Sequence, residues 1–191
     1  MPSPDSPGTY LSFLIKSLID AELPVVRHHY FLSLDDSTVD RISFTEISNS
    51  LMDQIAGRYL DAVRGMDDSP NQLRNWLEAC GKFYAAEGKR FYVVVDGLDH
   101  VWREQRSTAQ MEHLFNYLLP CPDNVYLVIG TQKVTPDQLP FKLIQQAEEK
   151  DWIEVPPMDE AAVHAWLAGQ RDAGRLLLRE IKHQSKLSEL S

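Results

Sequence analysis

Two carboxylates three residues apart, Asp96 and Asp99, close the run Arg90-Phe91-Tyr92-Val93-Val94-Val95-Asp96-Gly97-Leu98-Asp99-His100. The residues before Asp96 are β-branched or aromatic without polar alternation, the pattern of a strand covered on both faces in a parallel α/β sheet. Open α/β sheets bind ligands outside the carboxyl ends of their strands, so the last residue of this one is placed at a ligand crevice. A carboxylate there can hold Mg²⁺ on a nucleotide. A second carboxylate just beyond, Asp99, is what activation of a water would require. The plainer reading makes Asp96-Gly97 an Asx-stabilised turn and Asp99 a solvated loop residue.

The elements that must position these groups are readable in outline. From Thr9, Leu11, Leu14, Ile15, Leu18 and Ile19 recur at helical spacing until Pro24, and Val25 to Leu32 reads as a strand. Ser43-x-x-Glu46 forms a capping box ahead of a helix bearing Ile47, Leu51, Ile55 and Tyr59. Ser69-Pro70 opens another helix, whose stripe Leu73, Trp76, Leu77, Cys80, Phe83 and Tyr84 belongs to a core. A helix spans about Thr108 to Leu119, and Val125 to Ile129 is a second apolar strand ending in Gly130-Thr131-Gln132. A helix from about Asp137 to Glu149 and a short strand at Trp152 to Val155 follow. Pro156-Pro157 then separates residues 1–156 from a helical tail, 157–191, in which Asp159 caps a helix.

Strand and helix alternate at a spacing that points to right-handed βαβ units in a parallel sheet. At 191 residues, with 43% hydrophobic and 25% charged, the chain is long enough for one α/β domain with a sizeable core. A net charge of −9 argues against a general nucleic-acid binder. Cys80 and Cys121 lack metal or redox spacing and read as packed small apolar groups of a reducing compartment. No run approaches the ~20 apolar residues of a membrane span, and Met1-Pro2-Ser3-Pro4-Asp5 is unlike a signal peptide, so a cytoplasmic protein is expected. His28-His29 sits on a strand, where neighbours point to opposite faces, so the two cannot chelate one ion.

The order helix, strand, long helical insertion, strand with Asp-Gly-Leu-Asp, strand with Gly-Thr, then Pro-Pro into a helix resembles the STAND class of P-loop NTPases, the NACHT-like and AAA-like regulatory ATPases. The resemblance covers roughly residues 8 to 183. It implies that Asp96, Gly97, Leu98 and Asp99 match the Walker-B signature, with His100 where many members carry Glu and reading as a surface loop residue. It also implies that Gly130-Thr131-Gln132 ends the sensor strand, with Gln132 in the place of an Arg. Asp96 would then hold Mg²⁺, Asp99 would polarise the attacking water, and Gly97 and Thr131 would border the nucleotide.

A Walker-A loop reads G-x-x-x-x-G-K-[ST], and Pro7-Gly8-Thr9-Tyr10-Leu11 keeps a glycine and a hydroxyl but no lysine. Gly8 would allow close phosphate approach and Thr9 would be a residual Mg²⁺ ligand. The expected architecture is therefore a three-layer α/β P-loop NTPase-like domain lacking its first strand, cut at the Walker-A end and at the carboxyl terminus. The missing strand would lie between the sensor strand and Trp152–Val155. The implied role is an ATP- and Mg²⁺-binding domain, or its remnant, that switches attached modules or protomers of a signalling ATPase, with weak binding and no efficient hydrolysis. The alternative is a non-catalytic interaction module that kept the fold and lost the nucleotide.

Overall fold

A computed structural model of the protein describes residues 7–30, 42–132, 134–155 and 164. In chain order it contains α1 (Pro7–Asp20), β1 (Val25–His29), α2 (Phe44–Arg58), α3 (Leu60–Val63), α4 (Leu73–Ala86), β2 (Phe91–Asp96), α5 (Leu98–Gln105), α6 (Ala109–Leu118), β3 (Val125–Gly130) and α7 (Phe141–Gln146). Short 3-10 turns lie at Pro70–Gln72, Pro136–Gln138 and Glu149–Asp151. The strands form a parallel sheet in the order β1-β2-β3, so the class is α/β with β2 in the middle.

Alternation along the strands divides the side chains between two faces. Val26, Tyr30, Phe91, Val93 and Val95 belong to one large core with apolar residues of α2, α4, α5 and α6. On the opposite face Val25 and Val94 pack under Leu11, Ile15 and Leu18 of α1. Helices therefore cover both faces, which is why β2 carries an unbroken apolar run. One face is covered by many helices and the other, within this small cluster, by α1.

The outer border of β1 is closed by side chains of the segment after it. The Tyr59 hydroxyl accepts from Val25 N at 2.9 Å and donates to Val25 O at 3.1 Å. Gln54 does the same for Arg27, accepting from its N–H at 3.1 Å and donating to its carbonyl at 2.7 Å. These contacts satisfy edge groups that would otherwise pair with water or with another strand. Ser43 Oγ accepts from Glu46 N at 3.2 Å, the N-cap that its spacing predicts.

Several sequence-based expectations are corrected. Asp99 in its plainer reading and His100 are expected in a loop, but both lie on helix α5, Leu98–Gln105, which starts after Gly97 in the left-handed region at φ 85° and ψ 32°. The single helix expected over 137–149 is broken, because Pro140 cannot donate and forces Leu139 into extended backbone at φ −115° and ψ 156°. Ser69 starts a 3-10 turn without capping it, since its hydroxyl donates to Asp67 at 2.8 Å. Residues 152–155 are not a strand: no described strand pairs with them, and Trp152, Ile153 and Val155 are exposed. β1 ends at His29, and Leu32 lies outside the described residues.

The chain divides into two compact units, Ser6–Glu154 and a second made of Met1–Asp5 with Val155–Ser191. The expected helical subdomain at 157–191, including the Asp159 cap, lies outside the described residues except for exposed, helical His164. No described helix is long and apolar enough to cross a membrane. Burial pushes the Cys80 thiol up to about 12 and raises that of Cys121, as expected of packed, unreactive cysteines.

Two helical glycines give a contrasting test of packing. An added Cβ at Gly57 meets nothing within 4 Å, whereas at Gly81 it would stand 2.3 Å from the Asp123 carbonyl oxygen and 3.1 Å from Val125 Cγ2. Gly57→Ala is expected to stabilise the protein by about 0.5–1 kcal/mol through helix propensity. Gly81→Ala is expected to destabilise it by about 1–3 kcal/mol through overpacking. Chemical denaturation of the two variants side by side measures both signs.

Candidate functional site

Parallel register lines up the carboxyl ends of the three strands. His29 is the Cα partner of Asp96, and Asp96 is the partner of Gly130, so the three form one row across the sheet. Counting back in twos, this row continues the face made by Val25, Val94 and Val128, the face that α1 covers. Asp96 thus ends the central strand at the carboxyl end of the sheet, the end outside which open α/β sheets in general bind ligands.

Its neighbours come from all sides of that position. His29 Nδ1 lies 3.3 Å from Asp96 Oδ2, and the Asp96 side chain keeps 16% of its surface exposed. At Gly130 an ideal Cβ would fall 1.9 Å from Leu11 Cδ1 and 2.3 Å from Asp96 Oδ1. The absence of a side chain at position 130 is what lets the second turn of α1 and the carboxylate approach the end of β3 together. Gly8 and Thr9 fall on the first turn of α1, immediately upstream of Leu11, and their side-chain contacts lie outside the described residues.

Asp99 has a different environment. It sits in the first turn of α5 with 1% of its side chain exposed, so it is neither solvated nor in a loop. Its Oδ1 accepts from Gln132 N at 3.0 Å, which fastens α5 to the segment leaving β3. Its Oδ2 lies 3.3 Å from Arg103 Nη1 and 3.8 Å from His100 Nε2, without a hydrogen bond of good geometry. His100, read as a loop residue, is on α5 as well.

Gly97 and Thr131 serve the backbone at this rim. The left-handed φ of Gly97 turns the chain from β2 into α5, and its N–H donates to Gly130 O at 2.9 Å. A residue with a Cβ would cost about 1–2 kcal/mol in that conformation. Thr131 Oγ1 donates to Gln132 O at 3.1 Å.

Comparison of the chain with protein-family models, with curated proteins and with solved structures yields no match. The functional reading therefore rests on the sequence resemblance together with this rim. Among the described residues no group of three or more His, Cys, Asp or Glu is arranged to hold a metal ion. A dedicated cage is not what Mg²⁺ on a nucleotide requires, since one or two carboxylates complete a shell otherwise made of phosphate oxygens and water. Asp96, partly exposed at the strand end, fits that single-carboxylate role.

The structure thus brings Asp96, Gly97, Asp99 and Thr131 to one end of the sheet, with the backbone of Gly8 and Thr9 on the α1 turn leading to Leu11. Sequence reasoning missed His29, Arg103 and Gln132 as their partners. The Arg103 signal was present as an i, i+4 pair with Asp99, but it becomes legible only once 98–105 is a helix. The His29 contact depends on strand register across 67 positions, which no local pattern carries.

Proposed function

We propose that the protein is the nucleotide-responsive α/β domain, or its remnant, of a STAND/NACHT-type signalling ATPase, binding Mg²⁺-ATP weakly at the carboxyl end of its sheet with little hydrolysis. The observation that carries the reading is Asp96: a partly exposed carboxylate ending the central parallel strand, beside Gly130 and the amino-terminal part of α1. A helix start offers free N–H groups and the positive end of a dipole to a phosphate. Bound Mg²⁺ would neutralise phosphate charge, with Asp96 as its protein ligand and Thr9 as a second candidate.

The His29 ring would orient the Asp96 carboxylate from the neighbouring strand. Asp99, buried and occupied by Gln132 N, is poorly disposed to act as a free base for water, which supports a binding switch in preference to a rapid hydrolase. That same burial favours the second reading, an interaction module that retained the layered sheet without its nucleotide.

Calorimetric titration of the full chain with Mg²⁺-ATP, beside Asp96→Ala, separates the two. Heat of binding that weakens tenfold or more in the variant is expected, on the order of the loss of one charged ligand contact. No heat at millimolar nucleotide would leave the interaction module as the function.

A further inference from the structure

We infer that Arg103 is the cation that receives the terminal phosphates of the nucleotide, held ready by Asp99 and Gln132; this rests on the nucleotide reading above. The problem it answers is charge. The first turn of α1, Pro7-Gly8-Thr9-Tyr10, has no lysine, and the rim carries two carboxylates, so a triphosphate needs a positive group in addition to Mg²⁺.

Arg103 has the geometry for it. One turn beyond Asp99 on α5, it lies 3.3 Å from Asp99 Oδ2 through Nη1, and Nη2 donates to Gln132 Oε1. Gln132 N closes the ring by donating to Asp99 Oδ1 at 3.0 Å. The carboxylate in this ring is 1% exposed and the arginine 49%, so the ring has a buried anchor and an open outer end.

A guanidinium has five N–H donors in a planar fork, and two acceptor groups leave several of them for a ligand. The contact with Asp99 is an ion pair without a well-formed hydrogen bond, so Arg103 can turn toward a phosphate while staying beside its counter-charge. Gln132 is two residues past Gly130, which borders Asp96, and this keeps the guanidinium at the same end of the sheet as the Mg²⁺ ligand. An ordinary exposed i, i+4 pair has neither a buried acceptor nor a tie to a second element. Asp99 and Gln132 are positioning residues in this arrangement.

The test titrates the full chain with Mg²⁺-ATP, with Mg²⁺ and inorganic tripolyphosphate, and with adenosine, in the wild type, Arg103→Gln, Arg103→Lys and Asp96→Ala. Arg103→Gln is expected to weaken both phosphate ligands by about 10- to 100-fold, the range of a charged hydrogen bond, and to leave adenosine unchanged. Arg103→Lys keeps the charge over Asp99 if the glutamine variant fails to fold, and a several-fold loss confined to phosphate ligands is expected of it. Wild-type phosphate affinity in a folded Arg103 variant, with Asp96→Ala defective, overturns this inference and leaves the nucleotide reading standing. A wild type that binds neither phosphate ligand overturns both.

Discussion

Asp99→Ala is expected to lower the free energy of unfolding by about 2–3 kcal/mol, a fall of roughly 5–10 °C in melting temperature for a body of this size. The substitution removes the acceptor of Gln132 N and the counter-ion of Arg103 in one step. Breaking a fully buried ion pair costs about 3–5 kcal/mol, but Arg103 is half exposed and regains water, which places the effect below that range. Asp99→Asn keeps an acceptor for the amide and loses only the charge, so about half of the effect is expected. A carboxylate kept solely to activate water would leave stability untouched. Calorimetric melting of both variants distinguishes these roles, and an unchanged melting temperature would return Asp99 to the catalytic list.

Phe91→Ala should produce the larger loss, about 3–5 kcal/mol. Phe91 opens the central strand, is fully buried, and meets Tyr59 edge-on at 5.7 Å and Tyr84 stacked at 5.9 Å between ring centroids. Its removal leaves a cavity beneath the tyrosine whose hydroxyl closes the border of β1, so the damage reaches beyond the lost ring. Phe13, 72% exposed on α1, provides the control: Phe13→Ala should change stability by no more than about 0.5 kcal/mol. In urea the expected signature is a lower midpoint at unchanged slope. Equal midpoints for the two variants would contradict the placement of the core.

What could be read from the residues alone was whatever depends on local periodicity. The apolar runs at 91–95 and 125–129, the Ser43 cap and the stripe of α4, apart from Phe83, which is exposed where a core position is expected, lie where their patterns put them, because each is written within a dozen positions. α5 escaped notice because its apolar positions Leu98, Val101 and Trp102 are few and its remaining residues are polar, so tertiary burial decides it. Trp152–Val155 failed as a strand because a strand needs a partner, and apolar content does not supply one. At the candidate site, Asp96 was legible as the end of a buried run. Its contact with His29, and the ring of Asp99, Arg103 and Gln132, depend on parallel register and on a helix set at one angle, neither of which is encoded at neighbouring positions.

The closing of the β1 border by Tyr59 and Gln54 makes the sheet directional. Backbone groups at Val25 and Arg27 are already spoken for by side chains, so a further ribbon of extended chain finds no vacant ladder there. Among the described strands the opposite border is β3, whose Val125–Gly130 contains neither a charge nor a proline, the features by which sheet edges repel a further strand.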